Sequence, residues 1–247
     1  MSGVSKAGFT IIETMLFLGI TGLLIVGILA GTGQSINVQR YHDSVASLES
    51  QVQGLYSSVN DVVNSGSGSQ TCPIAPDPSV PTNVGQSSCV VIGKYMTITG
   101  NSTATSTVIG YSSTAANDRT DSDLAILETY TLSLLPSSTI TTPLDWNASI
   151  EWAKSGVDTK SPREPRTFSI LILSSPATGY DYTFTADDTT TSLASMVAKG
   201  TTPQRTVCVD SGGIIGSDYS VVMDSNASTQ NDIQVDTNDT VGATSQC

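Results

Sequence analysis

Residues 8–40 read GFTIIETMLFLGITGLLIVGILAGTGQSINVQR, and this stretch determines the architecture that we expect of the whole chain. It contains no charged residue between Glu13 and Arg40. Because a helix needs about 20 predominantly apolar residues to cross the hydrocarbon core of a bilayer, the stretch is long enough to span a membrane. It is too long for the apolar part of a secretory signal peptide. Lys6, on its amino-terminal side, predicts a cytoplasmic N-terminus.

Glu13 lies one helical turn inside this apolar block. An isolated carboxylate in an apolar environment costs several kcal/mol and therefore demands a partner. The neighbouring sequence supplies none. The plainer interpretation is that Glu13 lies at the headgroup level, at the edge of an ordinary membrane anchor.

The residues around Glu13 favour a more specific interpretation. Gly8-Phe9-Thr10-Ile11-Ile12-Glu13, after a short leader with one lysine and before a long apolar run, resembles the processing site of type IV prepilins and pseudopilins. The resemblance implies that a membrane peptidase cleaves between Gly8 and Phe9 and methylates the new amino group of Phe9. It also implies that this amino group pairs with Glu13 of a neighbouring subunit during assembly.

One departure from the family pattern concerns the middle of the apolar stretch. The family often carries a proline near Ala30, whereas this chain has no proline before Pro73. The departure leaves open whether the helix melts locally, which the glycines of Gly27–Gly33 could permit instead.

The residues that follow predict one long helix from Phe9 to Val63. Apolar residues continue at steps of three to five, which is the period of an amphipathic helix. The first half would be bare and the second half packed on a globular domain; a coiled-coil stalk is the alternative, but regular flanking charge pairs are missing. The apolar stripe consists of Ile36, Tyr41, Val45, Leu48, Val52, Leu55, Val59 and Val62.

The remainder of the chain predicts short strands separated by Gly, Pro, Asn and Ser. The fold class is therefore α+β, with the long N-terminal helix packed on an antiparallel β-sheet domain, as in pilins. The segments are a leader (1–8), a membrane-spanning or filament-core helix (9–33), an amphipathic half (34–63), a flexible and disulfide-closed loop (64–89) and an exported β-rich domain with a C-terminal disulfide loop (90–247). We expect strands near 90–99, 105–111, 125–135, 149–153, 167–174, 180–186, 205–210 and 219–224, and a short helix at 191–199.

All four cysteines follow the apolar stretch, in a compartment where disulfides persist. Four cysteines allow three pairings. We prefer Cys72 with Cys89 and Cys208 with Cys247, and the second pair resembles the C-terminal disulfide loop of many pilins. A zinc site is disfavoured, because the chain has no Cys-x-x-Cys and its single histidine, His42, lies in the amphipathic helix.

Charge and motifs narrow the function classes. A net charge of −12 disfavours broad binding to nucleic acid. Hydrolase, metalloprotease and phosphate-binding motifs are missing from the sequence, so we expect no enzyme, metal or cofactor. Acidic groups around Asp123 and Asp232 lack the spacing of a calcium loop and are expected to be solvated turns. One basic cluster predicts an exposed loop that either aids solubility or contacts DNA or an anionic cell surface, and it consists of Lys154, Lys160, Arg163 and Arg166.

The resemblance implies a structural subunit, major or minor, of a type IV pilus-like filament that supports adhesion, twitching motility or DNA uptake. Its partners would be further copies or related pilins, the prepilin peptidase, and the assembly platform and ATPase. The precursor would be a single-pass membrane protein and the product an extracellular filament at the cell surface. The alternatives are a pseudopilin of a type II secretion or competence apparatus and a monomeric membrane-anchored adhesin.

Overall fold

The computed structural model describes residues 10–60, 89–111, 122–153, 165–210, 219–237 and 247. Its first element is α1 (Ile11–Asn60), a single helix of 50 residues that is about 75 Å long at 1.5 Å per residue. The helix is continuous through Gly27–Gly33, the segment where the sequence left local melting open. Phe9 and residues 61–63, at the two ends of the expected helix, lie outside the described residues.

Short strands and two short α-helices follow α1 in the described part of the chain, and the sequence predicted only the second of these helices, at 191–199. The prediction of a single strand over 125–135 is wrong in its first half, because Ser122 caps a helix there by accepting a hydrogen bond from the backbone N–H of Ala125. In chain order the elements are β1 (Cys89–Thr99), β2 (Ser102–Tyr111), α2 (Asp123–Glu128), β3 (Thr131–Leu134), β4 (Ile140–Pro143), β5 (Ile150–Glu151), β6 (Thr167–Ser174), β7 (Asp181–Ala186), α3 (Leu193–Ala198), β8 (Arg205–Val209), β9 (Tyr219–Met223) and β10 (Ile233–Thr237).

The strands form two sheets. A six-stranded sheet has the order β3-β2-β1-β6-β7, with β4 also paired to β2, and a four-stranded sheet has the order β10-β9-β8-β5. Every pairing between these strands is antiparallel. The expected α+β class, a long N-terminal helix packed on antiparallel sheet, is confirmed. The sequence did not predict that the sheet is divided in two, nor the strands β4 and β10.

Both sheets pack on the second half of α1 and form one core with it. The helix contributes the apolar stripe that begins at Tyr41, and each sheet contributes the side chains of its inner face. Burial of such side chains is the dominant stabilising term in folding. The buried residues of α1 are Tyr41, Ser44, Val45, Leu48, Val52, Leu55, Tyr56 and Val59.

Strand β6 is internal to its sheet and buried on both faces. Phe168, Ile170 and Ile172 point into the core around α1. Leu171 and Leu173, which alternate with them, point into a second core under α2 and α3. A strand covered on both faces has no position for a polar face, which explains its uninterrupted apolar sequence.

The packed half of α1 begins at Tyr41. Its hydroxyl group donates to the carbonyl oxygen of Val209 at 3.0 Å and accepts from the backbone N–H of Tyr219 at 2.9 Å. Ile36, which the sequence placed in the buried stripe, is instead 48% exposed. The sheets therefore do not cover Ile36, and the buried part of α1 begins at Tyr41, later than the expected boundary at residue 34.

The far end of α1 is held by further side chains. Gln53 Nε2 donates to the carbonyl oxygen of Ile233 at 3.1 Å, and the hydroxyl groups of Tyr56 and Thr183 are hydrogen-bonded at 2.9 Å. Burial raises the pKa of Tyr56 to about 12, so its hydroxyl group stays protonated at physiological pH. Polar contacts thus connect the helix to both sheets along its packed half.

Cys208 of β8 and Cys247 form a disulfide with a Cα–Cα distance of 5.5 Å, the pairing expected from the sequence. The bond is buried beside Ala153. Cys89, at the start of β1, is also disulfide-bonded, but Cys72, its expected partner, lies outside the described residues. Residue 247 is therefore attached to the four-stranded sheet.

Replacing Ile172 by alanine should lower the free energy of unfolding by about 2–5 kcal/mol, because the side chain is fully buried between β6 and α1. The same replacement at Ile140, which is 68% exposed on β4, should change it by less than about 0.5 kcal/mol. Denaturant unfolding of the full chain in detergent, followed by circular dichroism, measures both. Equal losses would contradict the burial of this face of β6 against α1.

Candidate functional site: the bare half of α1

The first part of α1 projects beyond both sheets. We call Ile11–Arg40 the bare half of α1, because none of its residues is buried and all but Thr21 and Val38 are largely exposed. Large apolar side chains are exposed on all sides of it, in contrast with the single buried stripe that follows. Exposures of 52% or more are found at Ile11, Ile12, Met15, Leu16, Phe17, Leu18, Ile20, Leu23, Leu24, Ile25, Val26, Ile28 and Leu29.

An exposed apolar surface of this size requires a covering. Soluble monomeric proteins rarely expose contiguous apolar patches larger than a few hundred Å², and a helix that is apolar on all sides is one that is buried in a large core or in a membrane. Within the described residues, α1 is the one helix long and apolar enough to span a membrane. Its length and composition are consistent with single-pass anchoring in a membrane.

The threonine hydroxyl groups of the bare half form hydrogen bonds within α1 and need no partner from another molecule. Thr14, Thr21 and Thr32 donate to the carbonyl oxygens of Ile11, Phe17 and Ile28 at 2.9, 2.6 and 2.9 Å. These hydroxyl groups are satisfied by the backbone of the helix itself. These hydrogen bonds were not predicted from the sequence, although threonine inside an apolar helix is a recognisable signal for them.

Glu13 differs from the threonines. Its backbone N–H donates to Thr10, but among the described residues no side chain or backbone group donates to its carboxylate. An apolar groove on the helix surface is lined by Glu13 together with Phe17, Ile20 and Leu24, which lie on the same helical stripe. Within the described residues, the carboxylate is thus a charge without a partner, beside a strip of apolar side chains.

This arrangement supports one kind of chemistry, the capture of a cation from outside the chain. A carboxylate in low dielectric attracts an opposite charge much more strongly than it would in water. The cation has to reach this face of the helix, because the neighbouring side chains Phe17, Ile20 and Leu24 are apolar and cannot pair with the carboxylate. Gly8 and Phe9, the expected processing site, lie outside the described residues.

Among the described residues, nothing packs against the glycines of the bare half. A Cβ atom added to Gly19, Gly22, Gly27, Gly31 or Gly33 would meet no atom within 4 Å apart from the adjoining residues and backbone of α1 itself. Each glycine costs up to about 1 kcal/mol of helix stability relative to alanine. Small residues at such positions allow other helices to approach closely, so they fit a surface that is covered by further helices.

Two other sites considered from the sequence fulfil structural roles. His42 is exposed, and its ring lies edge-on to Tyr219, with 5.6 Å between the ring centroids. Asp232 caps the turn before β10 by accepting from the backbone N–H groups of Ser228 and Thr229 at 2.8 Å, and these bonds lower its pKa. No cluster of metal-ligating side chains occurs in the described part of the chain.

The prediction of an exposed basic loop is wrong for Arg166, which is only 1% exposed. Its guanidinium group lies 4.3 Å from the centroid of the Trp152 ring and forms an ion pair with Asp187 at 2.7 Å. It also donates to the carbonyl oxygen of Thr206 at 2.8 Å. Arg166 therefore connects the two sheets, whereas Lys154, Lys160 and Arg163 lie outside the described residues.

Replacing Arg166 by glutamine should lower the free energy of unfolding by about 3 kcal/mol, because it breaks a buried pair and leaves the carboxylate of Asp187 without its main partner. Lys199 is exposed, so Lys199→Gln should change it by less than about 0.5 kcal/mol. Denaturant unfolding of the two full-length variants makes the comparison. A loss of anion binding at unchanged stability would instead restore Arg166 to a ligand site.

Comparison with known proteins adds no relative: no protein-family model, no curated protein and no solved structure matches this chain.

Proposed function

We propose that this chain is a structural subunit of a type IV pilus-like filament that is assembled from the membrane through packing of its N-terminal helix. The observation that carries the proposal is the carboxylate of Glu13, to which no described residue donates, on a bare apolar helix whose threonine hydroxyl groups are hydrogen-bonded within the helix. Residues 8–13 resemble a prepilin processing site, and cleavage there would create a cationic amino group that could pair with this carboxylate.

Before assembly, lipid covers the bare half of α1. Glu13 lies in the first turn of the helix, and the charge-free segment that follows it is long enough to hold it near the headgroup layer while the remainder spans the hydrocarbon core. There the carboxylate is hydrated and needs no protein partner. A monomer in the membrane is therefore stable without an ion pair.

During assembly, the bare halves of other copies replace the lipid. Glu13 loses its hydration, and an unpaired buried charge is strongly unfavourable. Cleavage after Gly8 would place a cationic amino group on Phe9, one helical turn before Glu13. Pairing of this amino group with Glu13 of a neighbour removes the penalty and fixes the axial offset between the two copies.

A contact in which two different parts of the same surface meet is head-to-tail. Such contacts build open helical assemblies when the rotation between copies does not close a ring. The small residues on the bare half allow the close helix approach that this packing needs. The sheets, which surround only the second half of α1, would form the outside of the filament.

The wider roles follow from the same proposal. The chain would be processed by a prepilin peptidase, extracted by the assembly platform and ATPase, and displayed as an extracellular filament in adhesion, twitching motility or DNA uptake. The disulfide between Cys208 and Cys247 supports an exported globular domain, because disulfides persist in oxidising compartments.

Replacing Glu13 by alanine should abolish surface filaments while leaving membrane insertion intact, because it removes the partner of the amino group without shortening the apolar segment. Glu49→Ala is the matched control, since this carboxylate lies in the packed half of α1, where it accepts a hydrogen bond from Gln53 of the same helix at 3.2 Å. Electron microscopy of sheared filaments, together with carbonate extraction of membranes, separates assembly from insertion.

Filaments at normal density in the Glu13→Ala strain would contradict the proposal. Mass spectrometry of the wild-type fibre protein adds an independent criterion, because the proposal requires a mature N-terminus at a methylated Phe9. Surface display without filaments in either strain would favour the membrane-anchored adhesin. Short membrane-bound assemblies without long extracellular fibres would favour the pseudopilin.

A further inference from the structure

An exposed tryptophan lies where the sheets meet the bare half of α1. Trp146, in the turn Asp145–Asn147 between β4 and β5, is 58% exposed. Its backbone is left-handed, with φ at 57°, and that of Asn147 is left-handed as well, with φ at 59°. This conformation is an outlier for a bulky residue and costs of order 1–3 kcal/mol. Something outside the turn's own preferences is needed to account for it.

The turn is fixed to α1 and to the six-stranded sheet. Ser44 Oγ of α1 donates to the carbonyl oxygen of Asp145 at 3.0 Å. Leu144, just before the turn, is buried in the core around α1, and Asn101 donates to the side chain of Asn147. The strained backbone is therefore held from both sides, and it points the indole ring away from the core.

The indole ring lies at the level of Arg40. The guanidinium carbon of Arg40 is 4.6 Å from the centroid of the ring, within the range of a cation–π interaction. Arg40 is one helical turn before Ser44 and is the first charged residue after Glu13. The pair thus marks the junction between the bare half of α1 and the sheets.

This junction coincides with the expected surface of a bilayer. If about 20 residues from Met15 onward fill the hydrocarbon core, the core ends near Gln34, and Arg40 lies about 9 Å beyond it. That distance falls in the headgroup layer. Tryptophan is enriched in this layer because its ring is amphipathic, and arginine extends its charged group toward it.

We propose that Arg40 and Trp146 contact the phospholipid headgroup layer and hold the globular domain at a fixed height and orientation on the membrane. The guanidinium group binds lipid phosphate, and the indole ring inserts at the boundary with the acyl chains. Asp43 and Asp145 are exposed beside the pair, and the chain carries a net charge of −12. This mixture of charges fits a zwitterionic layer, which presents both phosphate and ammonium groups, and not a strongly anionic one. The inference rests on the membrane stage of the proposed function and not on polymerisation.

Fluorescence quenching in vesicles tests the contact directly. The chain has two tryptophans, and Trp152→Phe leaves Trp146 as the only one. We expect the emission of Trp146 to be quenched when the full chain is reconstituted, at high dilution, in phosphatidylcholine that carries a nitroxide on its headgroup. It should be protected from aqueous iodide under the same conditions. Arg40→Gln in this background should weaken both effects.

A reporter at the opposite end of the domain provides the matched control. Tyr180 is 68% exposed, and Asp181 beside it accepts a hydrogen bond from Asn60, at the far end of α1. A chain with Trp146→Phe, Trp152→Phe and Tyr180→Trp therefore carries the same fluorophore about 30 Å farther along the helix. This tryptophan should be quenched by iodide and not by the headgroup nitroxide.

Equal nitroxide quenching of the two reporters would overturn the inference. It would also be overturned if Trp146 became protected from iodide only when the protein density in the vesicles was raised, because a second copy would then cover the ring. The measurement is repeated with Glu13→Ala. Nitroxide quenching of Trp146 should persist there, so that a failure of polymerisation and a failure of the lipid contact give different results.

Discussion

The division of α1 into a covered and an uncovered half is the constraint on which the rest of the structure depends. Both sheets pack on the helix from Tyr41 onward, and neither extends back along Ile11–Arg40. The covered half buries its apolar surface against the two sheets, whereas the described residues leave the bare half to be covered from outside, by lipid or by other helices. The globular domain thus has its own buried core, whereas the bare half of α1 leaves a large apolar surface exposed.

The polar groups of the bare half restrict what can cover its exposed apolar surface. Its threonine hydroxyl groups are hydrogen-bonded to the helix backbone, and no described residue outside α1 packs against its glycines. Within the apolar stretch from Ile11 to Gly33, Glu13 is the one charged residue, and among the described residues no group donates to its carboxylate. A purely apolar covering would bury the charge of Glu13 at a high cost in free energy. Lipid avoids this cost because the charge stays hydrated at the edge of the bilayer. A protein partner has to supply a cation instead.

Local patterns predicted the elements of this fold well and their arrangement less well. The spacing of apolar residues predicted α1, and the uninterrupted run in β6 predicted an internal strand, because both depend on which faces are buried. The division into two sheets, the late start of burial after Ile36 and the burial of Arg166 depend on contacts between distant residues. Arg166 was misassigned because a cluster of basic residues in the sequence does not reveal that Trp152 and Asp187 lie beside one of them. For the candidate site, Glu13 was identified from the sequence, whereas the contact between Arg40 and Trp146 requires the turn that brings them together.

The attachments along the packed half of α1 have a mechanical consequence. Tyr41, Gln53 and Tyr56 are hydrogen-bonded to β8 and β9, to β10 and to β7 at successive heights on the helix. A force pulling the helix lengthwise out of the domain would strain these bonds and the surrounding apolar contacts simultaneously, in shear, instead of opening them one by one. In the proposed filament, tension transmitted from helix to helix would therefore be shared among all these contacts in each domain. Contacts loaded together in this way resist rupture better than contacts that open in sequence.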